Sequence, residues 1–362
     1  MQDGSEARLK NNTGNETNWK KQLAWSLVFV VIAAASVWAV TSQSRGFSLA
    51  AFGEFIRGAS LPWLAAAILC MLIYIYAEGA ALNCICASFS CRRRRRDGFV
   101  YASADIYFSA ITPSATGGQP ASAYFMIQDG IPGPTATVAL LVNLCMYTLS
   151  IMFIGAFCFI VRPNIYASFS LAPRLLILLG CVVQVGLVVI FAMLLRHEKW
   201  VERLGSGVIR LMTALHLVRH PEARREKLKM QIQHYKQDAA LVFGRWGMLA
   251  KALALNILQR AAFITVAMLA YRAMGGHGAG MLDIWAVQGF AILGYNTIPI
   301  PGAIGVADYL ILDGFQQLMD GATAVNLELV SRGLSFYSSI LICGITILTQ
   351  YIYRRRAGKY KR

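Results

Sequence analysis

Apolar residues come in long blocks along this chain, and the polar residues between them come in short, mostly basic clusters. The runs Leu23–Val40, Leu61–Phe89, Thr135–Val161, Leu175–Leu195, Met248–Met274 and Leu327–Tyr353 each predict a helix long enough to cross about 30 Å of hydrocarbon. Two further apolar stretches are broken in the middle. Tyr107–Gly130 runs to Thr112-Pro113, passes a small-residue tip at Ser114-Ala115-Thr116-Gly117-Gly118, and resumes at Pro120. Ile284–Ile298 meets the tip Pro299-Ile300-Pro301-Gly302 and resumes as Ala303–Phe315. Pro suits the first turn of a helix and Gly permits close approach. Both stretches therefore predict helix, tip, helix, with arms too short to cross alone. Unwound backbone at membrane depth is tolerated only inside protein or beside a water-filled cavity, so the tips are site candidates.

Composition agrees with the pattern: 57% hydrophobic, 14% charged, mean hydropathy +0.51. The predicted class is an all-α polytopic membrane protein with six transmembrane helices and two re-entrant helical hairpins. The net charge of +16, from 34 Lys+Arg against 18 Asp+Glu, gathers in clusters that mark cytoplasmic loops and attract anionic lipid. Arg92–Arg96 is the strongest, and the tail 354–362 is the second. Nucleic-acid binding by the arginine run lacks any accompanying recognition fold. Residues 1–22 read as a disordered cytoplasmic tail, and the polar leader favours a retained first span over a cleaved signal peptide. In the long polar loop 196–246, Val201, Leu204, Val208, Leu211, Leu215 and Val218 recur at helical spacing until Pro221 terminates or kinks the helix. Such a helix packs under the bundle or lies on headgroups; docking of a soluble partner is the sharper alternative. The eight Cys contain no C-x-x-C pair, and Cys84 and Cys86 read as small apolar filler.

The halves match in reverse. Residues 23–161 give span, span, hairpin from inside (101–131), span. Residues 174–353 give span, span, hairpin from outside (282–316), span, starting on the opposite side. Gly118 precedes Asp129-Gly130 by eleven residues, and Gly302 precedes Asp313-Gly314 by eleven. This predicts an inverted-topology repeat with both termini cytoplasmic, the layout of transporters whose site lies near the midplane between repeats.

Charges inside these spans are few, and the informative ones are Glu78, Asp105, Arg260 and Asp308. Arg260 sits about 20 Å into its span, too deep to snorkel easily. It would neutralise a phosphate, while the carboxylates receive a cationic headgroup or pair with Arg260; a purely structural ion pair is the competing role. Helix starts at Pro120 and Gly302–Ala303 would aim N–H groups at an anion, and Thr112, Gln119 and Asn296 add neutral hydrogen bonds. With the tip glycines Gly117, Gly118 and Gly302, these form the expected lipid-headgroup site. Lys251 lies near the edge and reads as a lipid-surface anchor.

The segments FSAITPSATGGQPASAYFMIQDGI and IPIPGAIGVADYLILDGF, with their T-P-S-x-x-G-G-Q-P and P-x-P-G-x-x-G-x-x-[DE] signatures, resemble the transmembrane region of lysylphosphatidylglycerol synthase/flippases. These are the multiple peptide resistance factor proteins and their single-domain relatives; the similarity in layout covers about residues 23–355. The resemblance implies a flippase carrying aminoacylated phosphatidylglycerol between leaflets of the bacterial cytoplasmic membrane, with a link to antimicrobial peptide resistance. Asp308 stands where the family often has Glu, one carbon shorter. Full-length relatives add a soluble domain that transfers lysine from charged tRNA. This chain ends at Arg362, so the expectation is a single-domain relative that is not itself an enzyme.

No G-x-x-x-x-G-K-[ST], H-E-x-x-H or G-x-S-x-G is present. The five His show no paired ligand spacing, so neither metal, cofactor nor catalytic residues are expected. The reading is a phospholipid transporter. Its alternatives are the membrane part of a lysyltransferase acting with a soluble synthase partner, and a lipid-binding scaffold that moves nothing.

Overall fold

The computed structural model describes residues 57–112, 116–196, 221–298, 303 and 305–356. Every regular element among them is helical: α1 (Leu61–Ser88), α2 (Arg95–Ile111), α3 (Gly118–Gln128), α4 (Gly133–Val161), α5 (Pro163–Ser168), α6 (Leu171–Arg196), α7 (Pro221–Val242), α8 (Trp246–Ala273), α9 (Met281–Tyr295), α10 (Val306–Gln316), α11 (Gly321–Arg332), a π-helical turn (Gly333–Tyr337) and α12 (Ser338–Arg356). The chain is thus an all-α polytopic protein. Five described helical segments are long and apolar enough to span: α1, α4, α6, α8 and the continuous Gly321–Arg354. The expected span Leu23–Val40 lies outside the described residues, as do the periodic segment 201–218 and the tip 299–302.

Local chemistry sets the boundaries. Pro occupies the first turn of α1, α4 and α5, where its missing N–H costs nothing. Pro221 likewise opens α7 rather than closing a helix. Asp320 caps α11, its carboxylate accepting from the amides of Ala322 and Thr323. The last span therefore begins six residues before Leu327, and the π-helical turn shifts its register halfway. Helix α3 begins at Gly118, two residues before Pro120.

Both interrupted stretches fold as short helix pairs, α2–α3 and α9–α10. Their helices have 17, 11, 15 and 11 residues, or roughly 26, 17, 23 and 17 Å at the helical rise. None is long enough to cross unaided. In both pairs the arms pack on each other.

The packing alternates between the two halves. Among the described elements, helices α1 and α8 form the most extensive contact. Helix α4 packs on α9, the first arm of the second helix pair; α12 packs on α2, the first arm of the first. Each of these contacts ends in an ion pair. Arg162, just past α4, meets Asp283 in the first turn of α9 at 2.7 Å. Arg354, in the last turn of α12, meets Asp129 at 2.9 Å, while Tyr101 donates to the same carboxylate at 2.8 Å. Asp313 holds the amide and hydroxyl of Ser170 at 2.9 and 2.6 Å. Both Asp-Gly aspartates thus anchor a hairpin arm to a neighbouring segment.

Of the described spans α6 is the least enclosed, with 17% of its most apolar window buried and many of its Leu and Val residues exposed. Helix α7 lies against α4 and α6. Asp238 accepts from Thr135 at 2.6 Å and Tyr235 donates to the Leu194 carbonyl at 3.0 Å, with burial pushing the Tyr235 phenol up to about 12. All eight cysteines are free, and Cys86 is buried in α1 as the apolar filler its surroundings suggested.

Candidate functional site

Arg260 occupies the fifteenth of the 28 positions of α8 and is only 5% exposed. A guanidinium at that depth needs partners, since even low estimates put a charge at the membrane centre at about 2.5–3.5 kcal/mol. Three rings supply part of the environment. The guanidinium carbon lies 4.9 Å from the ring centre of Tyr74, 4.6 Å from Tyr147 and 5.4 Å from Phe263. Contacts of this kind contribute about 2 kcal/mol or more when desolvated.

The carboxyls complete the cluster. Glu78 on α1 and Asp105 on α2 are buried, and each interacts with the other and with Arg260. Their outer oxygens are fixed by amides: Gln259 donates to Glu78 at 2.7 Å and Gln119 donates to Asp105 at 2.6 Å. Ser109 donates to Asp105 at 3.1 Å. Asn256, one turn from Arg260, donates to Asn143 at 3.1 Å. Several polar atoms here have no hydrogen-bond partner: Nε of Arg260, Oε1 of Gln259 and Oδ1 of Asn256. A spare donor and two spare acceptors face one buried cluster.

The first helix pair brings its tip to this place by close backbone packing. Gly79 of α1 and Gly98 of α2 lie in direct contact, so a side chain on either would strike the other helix. Gly118 rests on Asp105 and Ser109 with no space for a Cβ. Thr112 closes the tip internally: it accepts from the Gly117 amide at 2.9 Å and donates to the Phe108 carbonyl at 2.6 Å. The amide of Gly117 is therefore spent within the tip.

The second helix pair carries a second charged cluster. Asp308 pairs with Arg332 at 2.7 Å, and Glu328 lies one turn from Arg332 at 3.9 Å. Arg332 also stacks on Phe336, 5.3 Å from the ring centre. Asp308 accepts from the Gly305 amide at 2.8 Å, so the start of α10 is capped by its own carboxylate rather than left open to an anion. Ala303 has φ +49°, a left-handed conformation unusual for a residue with a Cβ, so the backbone beside the tip is strained.

Tyr295 joins the two clusters. Its half-buried side chain interacts with Arg332 and Asp308 of the second cluster and with Arg260 and Tyr147 of the first. Its neighbour Asn296 accepts from Tyr147 at 2.7 Å.

Of the residues singled out from the sequence, Glu78, Asp105, Gly118, Gln119 and Arg260 thus meet in one cluster, and Asn296 reaches it through Tyr147. Thr112 and Gly117 shape the tip. Asp308 does not pair with Arg260; α11 presents Arg332 to it first. Gly302 lies outside the described residues. Sequence reasoning passed over Arg332 and Glu328, although two charges inside an apolar run were a readable signal. It also passed over Gln259, Tyr74, Tyr147 and Tyr295, which leave no mark in a hydropathy pattern.

Among the described residues no group of three His, Cys, Asp or Glu side chains is arranged to hold a metal ion. Over residues 24–343 the chain matches the family described as Lysylphosphatidylglycerol synthase TM region. No curated protein and no solved structure matches it.

Proposed function

The chain belongs to the lysylphosphatidylglycerol synthase transmembrane-region family, and from that premise we propose that it moves phospholipids of the aminoacyl-phosphatidylglycerol type between the leaflets of a bacterial cytoplasmic membrane. The observation that carries this reading is Arg260: a mid-span cation, ringed by aromatics, facing Glu78 and Asp105 and tied through Gln119 to an interrupted helix pair. A headgroup that crosses hydrocarbon must exchange water for such partners. The unpartnered Nε of Arg260 suits a phosphate oxygen. The spare oxygens of Gln259 and Asn256, with the two carboxyls, suit an ammonium group.

The architecture supports the same reading. The layout we propose counts the apolar run 23–40 as a crossing and so has six crossings and two re-entrant hairpins, arranged as an inverted repeat. Reciprocal packing of α4 on α9 and α12 on α2 is what a pseudo-twofold axis through the α1–α8 contact generates. Arg92, Arg94, Arg95 and Arg96 are exposed at the start of α2, which favours placing that end, both termini and an anionic-lipid contact on the cytoplasmic side.

The test is leaflet exchange of labelled lysyl-phosphatidylglycerol, phosphatidylglycerol and phosphatidylcholine in vesicles containing the purified full chain. Protein-dependent exchange is expected for the glycerol-headgroup lipids. Binding without exchange of any of the three would leave a scaffold and reject the transporter.

A further inference from the structure

Charge and hydrogen-bond counts around Arg260 do not close. Two carboxyls, Glu78 and Asp105, share one guanidinium. Among the described residues the remaining groups facing them are neutral: Tyr74 from α1, Ser109 from α2, Gln119 from α3, Tyr147 from α4 and Gln259 from α8. Tyr295 of α9 approaches Arg260, and the Cys343 thiol of α12 approaches Glu78. The next described cation along this path, Arg332, interacts with Tyr295 and is held by Asp308. The second cluster repeats the imbalance, with Asp308 and Glu328 around Arg332.

Two carboxylates buried in one cluster at low dielectric cannot both stay ionised beside a single cation. The first cluster is therefore one positive charge short when empty. It is also short of donors, because Gln259 spends its N–H on Glu78 and keeps an oxygen unpartnered at 1% exposure.

We propose that this place is filled by a proton in the empty site and by the surplus positive charge of a headgroup in the loaded one, so that proton and cationic lipid exchange. This rests on the transport reading above. For a headgroup of net charge +1, the balance is site·H⁺ plus lipid⁺ giving site·lipid⁺ plus H⁺. The phosphate goes to Arg260, the ammonium replaces the proton, and the cluster stays neutral throughout. A headgroup of net charge zero or −1 supplies no surplus and displaces no proton. Exchange of cationic lipid against a proton moves no net charge across the membrane.

The experiment uses the full chain in phosphatidylcholine vesicles with a trapped pH dye and lysyl-phosphatidylglycerol introduced into the outer leaflet. Inward movement of this lipid should export about one proton per lipid. An imposed difference of one pH unit should shift its steady-state leaflet ratio about tenfold, with no dependence on a clamped membrane potential. Phosphatidylglycerol exchange should show neither effect. Glu78→Gln leaves one carboxyl for one guanidinium, so it should slow lysyl-lipid exchange, abolish the pH-driven tenfold shift and make the exchange that remains follow the clamped membrane potential; Asp105→Asn serves as the second variant if Glu78→Gln does not fold. Lysyl-lipid exchange in the unaltered chain with no proton movement and no response to the pH gradient overturns the coupling and leaves transport standing. Absence of all exchange overturns the transport reading itself.

Discussion

Replacing Gly118 by Ala adds one carbon where the tip of the first hairpin rests on α2. That carbon would lie 2.6 Å from the Asp105 backbone carbonyl oxygen, and closer still to the Asp105 carboxylate and the Ser109 hydroxyl. The carbonyl is part of a helix and cannot turn aside, so α3 must retreat by roughly 0.7 Å to reach even a short C···O contact of about 3.3 Å. Gln119 is the next residue, and its 2.6 Å hydrogen bond to Asp105 would stretch to about 3.3 Å, past the useful range. Overpacking costs about 1–3 kcal/mol and a bond to a charged acceptor about 1.5–3 kcal/mol. A combined loss of about 2.5–6 kcal/mol is expected, with lipid exchange reduced because a headgroup partner has moved. Thermal melts of purified protein and vesicle exchange rates measure both. Gly186→Ala, on the lipid-facing α6 with open space around its Cβ position, is the control and should change neither. Wild-type melting and wild-type exchange in Gly118→Ala would refute the argument that the tip packs directly on Asp105.

Arg260→Lys keeps the charge but loses the planar group between Tyr74 and Tyr147; exchange should fall at least tenfold with a smaller loss of stability, read from the same two assays. Arg332→Gln leaves Asp308 and Glu328 without their cation and should cost about 3–5 kcal/mol in denaturation, with Arg332→Lys restoring part of it. Asp129→Ala removes the partner of a nearly buried Arg354 and the acceptor of Tyr101, so the start of α2 and the end of α3 should exchange backbone hydrogens faster, whereas Asp129→Asn should keep the Tyr101 bond. The Asp320 carboxyl is held below the usual range by hydrogen bonds from the Thr323 side chain and from the Thr323 and Ala322 amides. Its stabilisation of α11 is complete above the ordinary aspartate range and is lost as pH falls through the lowered value. Protection of the Ala322 and Thr323 amides should drop under acid, and Asp320→Asn should remove that dependence.

Five of the expected spans and both interrupted helices were legible because hydropathy reports burial in lipid directly. Eleven-residue spacing from Gly118 to Asp129 corresponds to the eleven-residue α3, and its counterpart α10 has the same length. Pairing was less legible. Asp308 and Arg260 are both deep charges, but the choice between Arg260 and Arg332 depends on the register that α11 takes after its Asp320 cap. The tip shows the same limit: Gly117 and Thr112 were plausible ligands by residue type, yet their polar groups satisfy each other. Neutral residues such as Gln259 and Tyr147 look like any other position of an apolar run until tertiary contacts assign them a cation.

The terminal arginines Arg162 and Arg354 carry a mechanical consequence. Asp129 lies just before α4 and Arg162 just after it, so the two ion pairs sit at opposite ends of a 29-residue helix, about 43 Å apart. Each clamps the last helix of one half to the hairpin of the other. Swinging a hairpin away from that helix unfastens one rim of the bundle and leaves the other rim closed. A leak through the molecule would need both rims open together, and two distant fasteners that must fail at once make that state far rarer than either single opening.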